Sequence, residues 1–171
     1  MRAYLPSPRT RARFLITLVA LPVIILSGCG PTVDLKKSLQ VKVVETGWFD
    51  AGIVNGMNKL VPSITFTLTN QSDQKLRVLQ ANSIFRRVSD PNTEWGAGFK
   101  TVAGSEGLAP GAETAPITIR SQLGYTGTES RLEMLQNSKF VDAKIDLFSK
   151  YGSTQWAKLG EYPVERKLLT Q

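Results

Sequence analysis

Residues 64–69 read Ile-Thr-Phe-Thr-Leu-Thr. Successive side chains of a strand point to opposite faces, so this alternation sets Ile64, Phe66 and Leu68 on one side and Thr65, Thr67 and Thr69 on the other. A helix would scatter the same residues around its circumference. A strand with one apolar face needs a second layer to cover it, so the chain must supply that layer from elsewhere.

The rest of the chain from residue 39 onward offers suitable partners. Leu39-Gln40-Val41-Lys42-Val43 alternates in the same way, and so do residues 140–148, with Val141, Ala143, Ile145 and Leu147 against Asp142, Lys144 and Asp146. Residues 75–88 are rich in strand formers, with a slip in the alternation at Val78-Leu79 that suggests a bulge. Shorter strands are expected at residues 98–102 and 116–121. A last one is expected at residues 155–169, bent near Gly160 and Pro163. Asn55-Gly56 favours a type I′ hairpin turn, and Pro110-Gly111 fits the centre of a type II turn. Residues 129–136 have room for two helical turns, with Thr128 or Ser130 as cap and Leu132 and Leu135 on one face. Many short strands between turns argue for a β-sandwich.

From residue 61 to 121 this layout resembles the immunoglobulin-like domains of small bacterial envelope proteins, such as the FxLYD type. A strand ending Thr69-Asn70, a long strand pair and a Leu-x-Pro-Gly turn at residues 108–111 recur there. Residues 84–88 read Ile-Phe-Arg-Arg-Val where that family carries Phe-x-Leu-Tyr-Asp, so only the fold class carries over. The resemblance implies an all-β, immunoglobulin-like antiparallel β-sandwich of seven or eight strands with one short helix, spanning residues 39–171.

The first 28 residues have a different character. Arg2, Arg9, Arg11 and Arg13 precede an apolar run over residues 14–26, then small Ser27 and Gly28, and no acid occurs before Asp34. That is the order of a cleaved secretory signal. A retained membrane helix is the competing reading, but it needs about 20 apolar residues, and this run is interrupted by Pro22. Leu26-Ser27-Gly28-Cys29 resembles the bacterial lipobox. By that resemblance Cys29 receives a diacylglyceryl group on its sulfur, the signal is cut before it, and the new amino group is acylated. The alternative is a soluble secreted protein with a spare thiol, which would be a liability in an oxidising compartment. Each buried methylene contributes about 0.8 kcal/mol and two chains hold firmly, so the lipid on Cys29 would fix the protein to a membrane. Residues 29–38 would form the tether. Gly30 follows the cysteine where an Asp tends to retain such proteins in the inner membrane. The resemblance therefore implies the periplasmic face of the outer membrane in a Gram-negative cell.

Composition bounds the chemistry. Four of the 21 Lys and Arg lie in the signal, leaving 17 against 14 acids, so the remaining domain is nearly balanced despite a formal charge of +7 for the whole chain. Nothing in that balance argues for nucleic acid as a partner. The chain has no histidine and a single cysteine, which removes the commonest general base, the commonest metal ligand and any intrachain disulfide. No glycine-rich phosphate loop or metal-ligating cluster is visible, so no cofactor and no metal are expected. Asp142, Lys144 and Asp146 share one strand face, where a cross-strand ion pair is the plain expectation.

The aromatics carry the remaining functional signal. With consecutive strands running up and down, the connections at Asn55-Gly56, residues 89–97 and residues 122–138 fall at the end away from the tether. Trp95 and Tyr125 would sit there, with Trp48 farther down a bent strand. Exposed aromatic tips make binding hot spots; the alternative is that the rings fold inward and close the open end of the sandwich. The expected function is a non-enzymatic envelope lipoprotein, a binding or accessory module for another envelope protein, with Trp95, Tyr125 and Trp48 as its partner-binding candidates. The alternative is a carrier or sensor of a small apolar or lipidic ligand held inside the sandwich.

Overall fold

The computed structural model describes residues 32–169. Residues 1–28, read from the sequence as a signal, Cys29 and Gly30 lie outside the described residues. Nine strands and two short helices follow in the order α1 (Leu35–Ser38), β1 (Leu39–Val54), β2 (Met57–Asn70), β3 (Leu79–Arg87), β4 (Asp90–Ala103), β5 (Ile117–Arg120), β6 (Tyr125–Gly127), α2 (Arg131–Gln136), β7 (Ala143–Tyr151), β8 (Ala157–Pro163) and β9 (Leu168–Leu169). One sheet has the order β5-β2-β1-β9 with β6 also on β2; the other has the order β4-β3-β7-β8. This arrangement, with β2 joined to both β1 and β5 while β3 joins β7, is the two-sheet order of an immunoglobulin-like sandwich. The pairings are antiparallel except for the short parallel contact of β1 with β9.

The alternation of residues 64–69 builds the centre. Ile64, Phe66 and Leu68 are fully buried and meet Phe85, Ile145 and Leu147 from the other sheet in one core. Thr65 and Thr67 face away from that core, yet they too are buried. Flanking elements take up their hydroxyls: Thr65 Oγ1 lies 3.0 Å from Thr118 Oγ1, and Thr67 Oγ1 donates to Glu113 Oε1 at 2.6 Å. Burying a hydroxyl is tolerated when it is hydrogen-bonded.

Turn chemistry set the hairpins. Asn55 and Gly56 both take positive φ, 51° and 78°, as a type I′ turn requires. Gly111 has φ 73° and the Ala112 N–H donates to the Ala109 carbonyl at 3.1 Å, closing the type II turn. At the slip in alternation, Val78 adopts φ 51° just before β3 begins, a conformation a β-branched residue rarely takes. Ser130 caps α2 in a capping box with Glu133. The buried face of α2 is Met134 and Leu135, while Leu132 points to solvent, so the helix is rotated from the expected Leu132/Leu135 face.

Three elements differ in extent from the sequence expectation. Residues 89–97 do not form a loop: β3 turns through Val88 and Ser89 directly into β4, so Trp95 is a strand residue. Asp90-Pro91-Asn92 made the sequence read as loop, and farther along β4 Gly96 and Gly98 serve close packing. A β-carbon at Gly98 would lie 2.5 Å from the Arg120 carbonyl oxygen, where the edges of the two sheets meet. Residues 155–169 are two strands in different sheets, because β8 ends at Pro163 and the chain crosses to β1. Residues 35–38, placed in the tether by sequence, form a helical turn. Asp34 caps it by accepting from the Lys36 N–H, and Leu35 is buried in the core. Val33 N–H donates to Tyr151 Oη at 2.7 Å, which fixes the start of the described chain beside the end of β7.

Candidate interaction surfaces

Trp48, Trp95 and Tyr125 come together, but inside. Trp48 packs edge-on against Phe140 at 4.6 Å between centroids and lies 6.0 Å from Trp95, and Tyr125 meets Phe140 at 4.8 Å. Trp48 is fully buried, and Trp95 and Tyr125 are half-buried against the core. Charged side chains cover the cluster. Arg166 holds Asp142 with two hydrogen bonds, 2.7 and 3.1 Å, donates to the carbonyls of Asn137 and Phe140, and lies 5.6 Å from the Phe140 ring centre. Arg87 stands over Trp95 at 5.2 Å. The three rings are thus the closure of the sandwich, and Trp48 presents no surface to a partner. Trp95 and Tyr125 are strand residues and not loop-tip residues, so their rings lean on the core.

A different aromatic pair is exposed. Phe99 on β4 and Trp156 just ahead of β8 are 54% and 39% exposed, on the outer face of the four-stranded sheet. The register sets Phe99, Asn82, Phe148 and Lys158 in one row across that face. Strands lie about 4.8 Å apart, so β4 and β8 are separated by roughly 14 Å, yet the two rings lean together to 6.3 Å, edge to face. Lys150 Nζ sits 5.0 Å from the Trp156 ring centre. Sequence reasoning passed over both residues because neither lies in a segment with long alternation. The pattern that could have found Phe99 is its place between inward-facing Gly98 and Lys100.

Beside the rings runs a line of alternating charge. Asp146 receives Arg86 Nε at 2.9 Å and Lys158 Nζ at 2.7 Å, and Glu161 receives Lys158 at 3.1 Å and Lys144 at 3.0 Å. This is the cross-strand pairing expected for Asp146, extended over three strands. Burial pushes the Asp146 carboxyl up, but the hydrogen bonds from Lys158 and Arg86 outweigh it and hold it below its ordinary value of 3.8. Asp142 is held low by the Arg166 hydrogen bond. Among the described residues no group of three or more His, Cys, Asp or Glu is placed to hold a metal ion. Asp90 and Glu94, which flank the base of β4, belong to no such group.

A depressed carboxyl contributes stability that is present above its unfolded pKa and lost as pH falls through the folded value. Asp146→Asn is therefore expected to destabilise the domain at neutral pH by about 1–3 kcal/mol, the scale of hydrogen bonds to charged groups. The difference from wild type should begin to shrink as pH falls below about 4, the ordinary carboxyl value, and close only once the lowered folded-state value is passed. Urea unfolding of both proteins between pH 3 and 7 measures this. An equal gap at every pH would show that the charge of Asp146 is not what holds the line together.

The core between the sheets is filled by Trp48, Leu60, Phe66, Phe85 and Leu147, all without solvent exposure, which counts against a ligand held inside the sandwich. No protein-family model matches the chain, and none of the curated proteins does. A solved structure, the X-ray structure of Northeast Structural Genomics Consortium target SoR45, is similar at 15% identity and a TM-score of 0.40, covering 77% of this chain and 85% of that one.

Proposed function

We propose that this protein is a lipid-anchored envelope lipoprotein whose β-sandwich is a non-enzymatic binding module for another envelope protein. The lipobox-like Leu26-Ser27-Gly28-Cys29 motif supports the anchor. The observation that carries the binding role is the exposed, mutually braced pair Phe99 and Trp156 on the open sheet face. Large rings held in place outside the core contribute contact area at low entropy cost, and aromatic anchors dominate interface energetics.

Two variants test the two halves separately. Cys29→Ser should leave unprocessed or soluble protein in place of membrane-bound protein, and unchanged processing and fractionation would reject the anchor. Phe99→Ala with Trp156→Ala should reduce partner recovery from native membranes by tenfold or more, since hot-spot aromatics cost about 2 kcal/mol or more on truncation. The melting temperature of the double variant should stay close to wild type because both rings are exposed. Full recovery with an intact fold would reject the face.

A further inference from the structure

The hairpin that joins β1 to β2 outruns its sheet. β9 reaches β1 only at Trp48 and Phe49, and β6 reaches β2 only as far as Asn58. Ile53 pairs with Asn58, where β6 ends, and beyond it the pair Val54 with Met57 and the Asn55-Gly56 turn form a two-stranded fingertip. Its apolar side chains are bare: Ile53 is 69%, Val54 40% and Met57 36% exposed, with exposed Leu132 on nearby α2. Residues 51–58 read Ala-Gly-Ile-Val-Asn-Gly-Met-Asn, without a charge or an aromatic ring.

The base of the finger is pinned. One oxygen of Asp50 accepts from the Gly52 N–H at 2.8 Å across the bulge, and the other receives Arg131 Nε of α2 at 2.7 Å. Asn58 Nδ2 donates to the Glu129 carbonyl at 2.7 Å. With the type I′ turn at the tip, the finger is shaped before it meets anything, which lowers the cost of binding.

We infer that this finger inserts into an apolar cleft, rimmed by basic side chains, on a partner protein. Charge selects that occupant. Asp50 and Arg131 neutralise each other, and the exposed carboxylates Glu129 and Glu133 outnumber the one further cation there among the described residues, Lys59, whose ammonium is drawn to the Gln122 carbonyl. An apolar tip with an acidic flank complements an apolar floor with a cationic rim. It does not suit an anionic lipid surface, which is met by segments with basic and aromatic residues. Position agrees, given the anchor proposed above. The 16 residues of β1 carry the finger about 50 Å from the strand's N-terminal end at roughly 3.3 Å per residue, away from the tethering membrane.

The test places the photocrosslinker p-benzoylphenylalanine at Val54 of the full lipidated chain in its native envelope. The expected result is a discrete protein adduct whose crosslinked peptide lies in an apolar cleft bordered by Lys or Arg. Ile53→Asp in the same chain should reduce it at least tenfold, as should Glu129→Lys with Glu133→Lys. No adduct, an adduct indifferent to Ile53→Asp, or an adduct to phospholipid overturns the inference, the last assigning the tip to a membrane. Fractionation of the same samples separates the two readings. A membrane-bound chain without the adduct rejects the finger alone, and a protein adduct from a chain not bound to membrane rejects the anchor alone.

Discussion

Phe66→Ala is expected to remove about 3–5 kcal/mol of stability, the range for truncating a fully buried phenylalanine whose surroundings cannot collapse. Phe66 has no solvent exposure and lies on β2 between Ile64 and Leu68, in the strand that pairs with both β1 and β5. Hydrogen-bonded neighbours on both sides hold its backbone, so the sheet has little freedom to move into the vacated space. Domains of this size hold about 5–15 kcal/mol in total, so the variant is expected to melt far below wild type or to fail to fold. Thermal unfolding followed by circular dichroism measures the loss. A smaller truncation, Ile64→Val, should cost about 0.5–1.5 kcal/mol and keep the fold measurable if Phe66→Ala does not. A Phe66→Ala melting temperature equal to wild type would mean that Phe66 faces solvent.

Trp48→Ala should cost a similar amount, about 3–5 kcal/mol, because Trp48 is the fully buried centre of the aromatic cluster. Trp48 joins Trp95 to Phe140, and Phe140 joins Tyr125, so its loss removes the centre of the closure. Aromatic pairs contribute about 0.5–1.5 kcal/mol beyond their buried area. A double-mutant cycle of Trp48→Ala with Phe140→Leu should therefore show coupling of that order in urea unfolding. Trp95→Ala and Tyr125→Ala should cost less, because both rings are half-buried. A Trp48→Ala domain with wild-type stability but reduced partner capture would return these rings to recognition.

Much of the framework was legible from local pattern. Period-2 alternation located the centres of β2 and β7, and Asn55-Gly56 and Pro110-Gly111 marked the turn between β1 and β2 and one between β4 and β5, because side-chain facing and allowed φ are properties of a few consecutive residues. The same locality explains the misreadings. Asp90-Pro91-Asn92 looks like loop when read along the chain. Gly96 and Gly98 let β4 lie close to the end of β5, and what they pack against, the Ser121 side chain and the Arg120 carbonyl, is more than twenty residues away. Residues 155–169 look like one bent strand, since nothing local says that the chain changes sheets after Pro163.

By itself the sequence determined the all-β class, the inward face of the central strand, the hairpin chemistry and a lipobox-like signal, all of which depend on neighbouring residues. Tertiary structure alone decided which aromatics meet water. Trp48, Trp95, Phe140 and Tyr125 converge from four separate parts of the chain to close the core. Phe99 and Trp156, 57 positions apart, lean together over two intervening strands and stay exposed. Burial of a ring is set by what other elements bring to its two faces, and β-sheet pairing brings them from distances in sequence that no local pattern records.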